Sequence, residues 1–321
     1  MDIRTTPRDR AVHIVVTCAN RKRQAAPQHH RFRDLHVERS EKRCAAWLER
    51  LSAGSPTIAA TDMYAGEHWQ VARQLPEAVG ASATLWVSSA GYGLIPAAAR
   101  IHPYAATFAG GQPDSVAETW DGARRWWDEL SRWAGPCDGE PRSFAALAER
   151  DPSSVIVAVM SDAYLRACSH DLADAASRLR DADNISVFGP PGSSPRIADL
   201  IVPVTAVLRP AVGGSMQALN VRAADHILRT ARASDTPLRR SLLTELIAHA
   251  TAAAPADAGR RPAGMKLADE DVRSFIRQHI AHGPSSATKL LRTLRNSGLS
   301  CEQARFKALF AEEAAAREVL F

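Results

Sequence analysis

The sequence predicts an α/β fold: a mainly parallel sheet with flanking helices, plus a small C-terminal helical domain of helix-turn-helix type. Three observations predict it. Short β-branched or apolar runs alternate with amphipathic stretches from residue 11 to about 232, the pattern of strands and helices wound around a parallel sheet. Residues 252–264, rich in Ala, Pro and Gly, have the composition of a linker. Beyond them the periodicity is wholly helical. The expected organisation is an α/β domain over residues 1–251, the linker over 252–264, and a helical domain over 265–321.

The elements follow in order. Ala11-Val-His-Ile-Val-Val-Thr17 is β-branched and reads as a first, central strand. It ends in Cys18-Ala-Asn-Arg-Lys-Arg23, placing a thiol, an amide and three cations at a strand's carboxyl end, where open α/β sheets bind ligands. Residues 24–38 read as loop, and the adjacent His29 and His30 suit a solvated one. Residues 40–51 set Cys44, Leu48 and Leu51 on one helical face. Residues 56–60 read as a short strand running into Thr61-Asp-Met-Tyr-Ala-Gly-Glu-His-Trp69, with a helix through Arg73 that stops near Pro76.

Leu85 to Val87 closes a buried strand that breaks into Ser88, Ser89, Gly91 and Gly93. Small residues there let a ligand approach the backbone, and Tyr92 supplies a flat face between two glycines. Residues 109–117 form a loop, 120–133 an amphipathic helix whose tryptophans pack, and 143–150 a short helix. Residues 154–159 are a buried strand capped by Ser161-Asp-Ala-Tyr164, with a helix over 171–180. Residues 185–188 form a further strand, and 200–207 an edge strand that carries Pro203. Gly213-Gly-Ser215 opens a helix to about Arg232; its amides suit a phosphate, or Ser215 a simple cap.

Charge and cysteines bound the function. The net charge of +5 is concentrated at the ends: residues 1–50 carry 12 Lys and Arg against 6 acids, and 260–310 carry 10 against 4. The middle, 51–259, has 17 against 22. Two basic ends around a mildly acidic body point to a polyanionic partner, nucleic acid above all. Five cysteines with no C-x-x-C spacing point to a reducing cytoplasm and away from a zinc cluster. No metal, no cofactor and no membrane partner are expected. No apolar run has the length of a membrane span, and no signal-peptide pattern is visible.

In the C-terminal stretch, residues 269–282 set Val272, Phe275, Ile276 and Ile280 on one side. Ser285 or Ser286 caps a second helix, with Leu290, Leu291 and Leu294 inward. Gly298 ends it, and Ser300-Cys-Glu-Gln303 has the capping-box pattern for a third. Three short helices with a tight glycine turn resemble a helix-turn-helix, in which Lys289, Arg292, Arg295, Arg305 and Lys307 are the expected DNA contacts.

The chemistry is narrowed by exclusion. There is no nucleophile elbow, Walker loop, kinase motif or dinucleotide fingerprint. What remains is carboxylate, amide and aromatic chemistry at the strand ends, which suits cleavage of an N-glycosidic bond. A carboxylate stabilises an oxocarbenium-like sugar or activates water, while amides, hydroxyls and an aromatic ring hold the departing base. Asp62 is the first candidate, as a strand-end carboxylate beside Tyr64, and Glu67 the second. Asn20 would orient water or bind the base. Ser88, Ser89, Gly91, Tyr92 and Asp162 are the expected substrate contacts, and Arg21, Lys22 and Ser215 the phosphate contacts.

The ordered set Cys18-Ala-Asn-Arg-Lys22, Asp62-Met-Tyr64, Ser88-Ser-Ala-Gly-Tyr-Gly-Leu94 and Pro103-Tyr-Ala-Ala-Thr107 resembles an α/β family of bacteria and phages. That family is distantly related to uracil-DNA glycosylases and to proteins of deazaguanine modification. The resemblance covers roughly residues 12–108, and adds Cys18, Tyr64 and Tyr104 to the expected substrate contacts. The Asp-Pro-Tyr-type loop and late His-Pro-Ser of the uracil enzymes are not found. Some related proteins act in phage defence as glycosylases on modified DNA bases, and the resemblance implies that role here. The expected function is thus a DNA glycosylase that leaves abasic sites, with phage DNA carrying modified bases as partner. Two alternatives stand beside it: a base-exchange transglycosylase or nucleoside deoxyribosyltransferase, and a non-catalytic, nucleotide-sensing DNA-binding regulator.

Overall fold

The computed structural model describes residues 10–37, 40–80, 83–254, 265–280 and 286–318, so most of the expected linker lies outside the described residues. The chain divides into two compact units, Met1–Pro255 and Ala256–Phe321. In the first, the strands in chain order are β1 (Val12–Thr17), β2 (Ile58–Ala59), β3 (Ala83–Ser89), β4 (Gly93–Pro96), β5 (Arg100–Ile101), β6 (Val155–Val159), β7 (Ile185–Gly189) and β8 (Ile201–Pro203). Its helices are α1 (Ser40–Ser52), α2 (Ala60–Met63), α3 (Glu67–Ala72), α4 (Leu75–Val79), α5 (Trp120–Arg132), α6 (Phe144–Arg150), α7 (Asp162–Arg178), α8 (Arg209–Val212), α9 (Leu219–Ala233) and α10 (Arg240–Ala252).

Six of these strands form one sheet in the order β4-β3-β1-β6-β7-β8. All neighbours are parallel except β3 and β4. Ile14, Val15 and Val16 of β1 and Ile156 to Val159 of β6 are fully buried, as expected of central strands covered on both faces. From β1 the chain adds β3 on one side and then returns to add β6 on the other. Such a reversal of strand order opens a crevice beyond the strands' carboxyl ends. Cys18 follows β1 and Ser161 follows β6, at that place.

Several expectations are corrected. The Gly-Tyr-Gly segment is a hairpin turn, with Ser89 paired to Gly93, and the chain returns antiparallel as β4. Gly93 takes φ +70°, which glycine adopts without strain. The stretch 56–60 contributes only β2, which pairs with β5 outside the main sheet. Pro76 begins α4 instead of ending the preceding helix, since a proline in the first turn forfeits no intrahelical bond. Helix α7 starts at Asp162, nine residues before the expected start, because Ser161 already leaves β6 in a capping conformation. Helix α10 was not anticipated, its apolar face reduced mainly to Leu243 and Ile247.

The hairpin is held from behind by Arg142. Its buried guanidinium donates to the carbonyls of Leu94 at 2.5 Å, of Trp133 at 3.1 Å, and of Tyr92. Burial lowers its pKa to about 10. Two indoles fix the turn: Trp47 donates to the Gly91 carbonyl at 2.9 Å and Trp126 to that of Ala90 at 2.8 Å. The expectation that Trp126, Trp127 and Trp133 pack holds: the first two are buried, and Trp133 is partly buried against the core. The Trp127 indole and the amides of Phe144 and Ala145 all donate to the buried Asp171 carboxylate at 2.8 Å, which gives that carboxylate partners in place of water.

The second unit has its own apolar core, built from Val272, Ile276, Leu290, Leu294 and Phe306 among others. It comprises β9 (Met265–Lys266), α11 (Asp269–Ile280), α12 (Ala287–Asn296), β10 (Leu299–Ser300) and α13 (Gln303–Glu318), with β9 and β10 paired in parallel. Ser286 caps α12 by accepting from the Lys289 amide at 3.3 Å. At the start of the third helix the Glu302 carboxylate accepts from the amides of Ala304 and Arg305.

Candidate functional site

Polar side chains converge where β1, β3 and β6 end. The Cys18 sulfur lies 2.9 Å from the Tyr164 hydroxyl, which also accepts from the Ala90 amide at 3.3 Å. Ser89, the last residue of β3, accepts from the amides of Gly91 and Tyr92 at 3.1 and 3.0 Å. Both lone pairs of its hydroxyl are thus used, so its proton goes to the Tyr104 oxygen 2.7 Å away. Tyr104 in turn meets the Tyr64 hydroxyl at 3.0 Å. The Tyr92 ring packs edge-on against Tyr104 at 5.2 Å, and its hydroxyl accepts from the His102 amide at 2.9 Å. The sequence contains four tyrosines, and all four are buried here.

The loop after β1 supplies the charge. Lys22 pairs with Tyr64 as an isolated antiparallel bridge, flanked by Arg23 N–H to Met63 O and Ala65 N–H to Arg21 O, each 2.9 Å. In extended backbone successive side chains point to opposite sides. Arg21 and Arg23 are exposed, whereas Lys22 is half-buried, with its ammonium 4.7 Å from the Tyr104 ring centre and 3.4 Å from the Ala19 carbonyl. Lys22 was expected to contact phosphate beside Arg21; the alternation instead turns it inward. Burial lowers its pKa, and the nearby Cys18 and Asp114 partly offset that.

Burial first, and the neighbouring Cys18 second, hold the Tyr104 and Tyr164 phenols well above their ordinary pKa; the same two causes lead for Tyr64. They are therefore neutral hydroxyls at physiological pH, able to donate as well as accept. Two further side chains tie down the strand ends: His68 lies 3.0 Å from the Thr17 carbonyl, and Asn220 donates to that of Met160 at 2.7 Å. Neither was anticipated, since nothing in their spacing relates them to β1 or β6.

The remaining expected residues scatter. Ser88 faces away from Ser89, toward Cys168 of α7 at 3.9 Å. Gly91 is small for a packing reason: a Cβ there would stand 2.5 Å from the Tyr104 ring. Tyr92 offers no stacking face, being 1% exposed in the core. Asp62 is not at a strand end; it lies in the single turn of α2 and is exposed. Asn20 is exposed in the loop after β1. Asp162 pairs with Arg166 one turn along α7 at 2.9 Å.

Glu67 and Ser215 prove to be partners. The Glu67 carboxylate accepts from the Ser215 amide at 3.1 Å and pairs with Arg222 at 2.6 Å, which lowers its pKa. The amide expected to hold phosphate thus holds the chain's own carboxylate, and Glu67 is committed to joining α3 to α9. Glycine at 214 is needed there, with φ +79° and no room for a Cβ beside Glu67 and Arg222.

The histidines of the loop after β1 are not all solvated. His30 is 2% exposed and packs between His29 and His102 with tilted rings, ring centres at 4.1 and 4.7 Å. Its Nε2 meets the Arg50 carbonyl at 3.1 Å, while its Nδ1 and the Nε2 of His102 are buried without partners among the described residues.

In the second unit, α12 and α13 border a groove of about 480 Å³ lined by Lys289, Arg292, Arg295, Gln303 and Lys307. Among the described residues its lining includes no carboxylate. Arg305 stands apart, paired with Asp269 at 2.5 Å and donating to the Leu267 carbonyl. It is therefore a brace inside the unit, not one of the groove cations.

Among the described residues no three His, Cys, Asp or Glu side chains are grouped to hold a metal, and no helix is long and apolar enough to cross a membrane. Fold and site together define an α/β protein with a thiol, an amine and neutral phenols at the carboxyl edge of its sheet. Compared with protein-family models, curated proteins and solved structures, the chain matches none.

Proposed function

We propose that the protein is an enzyme that releases a modified base from DNA by cleaving its N-glycosidic bond. The observation that carries this reading is the convergence of Cys18, Lys22, Ser89, Tyr64, Tyr104 and Tyr164 beyond the ends of β1, β3 and β6. Hydroxyls that stay neutral can donate to the edge of a heterocycle. A donor already in place where negative charge grows on the departing base lowers the barrier without reorganising. A nucleotide in duplex DNA would have to swing out of the helix to reach them.

The second unit supplies the sequence-independent grip. Lys289, Arg292, Arg295 and Lys307 around one groove suit the phosphate backbone, with α12 and α13 acting as a helix-turn-helix pair. The resemblance noted in the sequence points to phage DNA with modified bases as the substrate. Asn20 and Asp62, both exposed, are left to contact water or DNA rather than the buried base.

Incubation with unmodified and hypermodified phage DNA tests the reading, with alkali to reveal abasic sites and mass spectrometry for the released base. Release that falls at least tenfold in Tyr104→Phe and Tyr164→Phe is the expected result. Tight binding with no base released would sink the enzyme and leave the nucleotide-sensing regulator. Transfer of a second base onto the sugar would move the assignment to base exchange.

A further inference from the structure

We propose that Lys22 is a nucleophile that forms an imine with C1′ of the nucleotide whose base the site releases. The proposal rests on the glycosidic reading above and assigns the reacting group within it. The geometry is that of the loop after β1. Its alternation points Arg21 and Arg23 outward and Lys22 inward, so phosphates held by the two arginines would bracket the amine. The half-buried amine lies over the ring of the fully buried Tyr104, at the margin of the tyrosine cluster. The candidate carboxylates among the described residues are engaged elsewhere or face outward: Glu67 is paired with Arg222, Asp114 is held by Arg33 in bonds of 2.5 to 3.1 Å, Asp162 is paired with Arg166, and Asp62 is exposed. A desolvated lysine beside this cluster deprotonates more readily than one in water, and the free amine is the reactive form.

The step balances without a further reagent. The nitrogen lone pair forms the N–C1′ bond as the bond from C1′ to the base breaks, its electron pair leaving with the base. The base takes a proton from water, while the neighbouring phenols stay neutral and only hydrogen-bond to it. Opening of the sugar ring places the O4′ pair on oxygen, which is protonated as the amine loses its protons, and the C1′=N bond results. Removal of a C2′ proton can then expel the 3′ phosphate and nick the strand.

DNA carrying a preformed abasic site exposes the same C1′ as an aldehyde and bypasses base recognition. The full-length protein, this DNA and sodium borohydride should give a covalent adduct, since borohydride adds hydride to C1′ and fixes the imine as an amine. The sequence holds five lysines, so peptide mass mapping of the wild-type adduct decides which reacted, without relying on a variant. An adduct mapped to Lys22, and lost in a folded Lys22→Arg protein, is the expected result. Adducts at the groove residues Lys289 or Lys307 instead, or no adduct at all, overturn the proposal. Base release from modified DNA with no trapped adduct would overturn the imine while leaving the glycosylase standing.

Discussion

The Cys18 sulfur and the Tyr164 hydroxyl meet at 2.9 Å although 146 residues separate them. The contact spans β1 and β6, at the place where the strand order reverses. The phenol also receives the Ala90 amide, so one hydroxyl joins all three strand ends of the site. Replacing Tyr164 by Phe leaves that buried amide without a partner, a loss of about 1–3 kcal/mol of stability. It also removes a hydrogen bond from the sulfur, so alkylation of Cys18 should slow. Urea denaturation and timed iodoacetamide labelling read the two effects, and an unchanged labelling rate would refute the second.

Gly91 should be nearly intolerant of a side chain. A methyl group placed 2.5 Å from the Tyr104 ring must displace the ring or the hairpin. Overpacking of this kind costs about 1–3 kcal/mol. Gly91→Ala is therefore expected to lower the melting temperature and, by moving Tyr104, to reduce base release. Gly110→Ala, where a Cβ meets nothing within 4 Å, is the matched control.

Glu67 is expected to matter for stability and not for chemistry. Its lowered pKa means that the folded protein binds the proton less well than the unfolded chain. The contribution is then present above the ordinary glutamate value and disappears as pH falls through the lowered one. Glu67→Gln should cost about 1 kcal/mol or less at neutral pH, as for other partly exposed pairs. Turnover per folded molecule should be unchanged; a hundredfold loss would return Glu67 to the catalytic group.

The clustered histidines predict acid sensitivity. Burial lowers the pKa of His30 and of His102 from an ordinary 6.5. The unfolded chain therefore binds protons that the folded one refuses, and stability falls as pH drops below about 6.5. Urea midpoints at pH 7.5 and 5.5 should differ more for the wild type than for a His30→Gln, His102→Gln double variant. Equal differences would show that the cluster is not the source.

In the second unit, Arg292→Ala and Lys307→Ala should each weaken binding to arbitrary DNA and reduce the slope of log affinity against log salt by about 1. Arg305→Ala should instead loosen the unit's fold through loss of Asp269 and Leu267, leaving the salt slope of the folded fraction unchanged. Equal effects on slope from all three would mean that Arg305 also faces DNA.

The long central strands and most of the helices were legible because their signals are local: β-branching in β1 and β6, and apolar periodicity in α1, α5 and α12. The site was half legible. Cys18, Ser89, Tyr64 and Tyr104 could be named from strand ends and motif order. Their joint arrangement could not, since a tyrosine after β5 meets one after α2 only through tertiary packing. Gly-Tyr-Gly misled because glycines that admit a ligand and glycines that make a hairpin have the same composition. Asp62 misled because β2, two residues long, never joins the main sheet. Lys22 was named for its charge, and its inward turn depends on a pairing with Tyr64 that sequence distance conceals.

Arg142 has a bearing on how the protein keeps to itself. β4 is an outermost strand, and such strands offer unpaired carbonyls on which another chain can extend the sheet and begin an aggregate. The guanidinium takes the carbonyls of Leu94 within β4 and of Tyr92 just before it, so an incoming strand finds those acceptors filled and a cation in its path. One arginine, drawn from the loop between α5 and α6, closes that flank of the sheet to polymerisation.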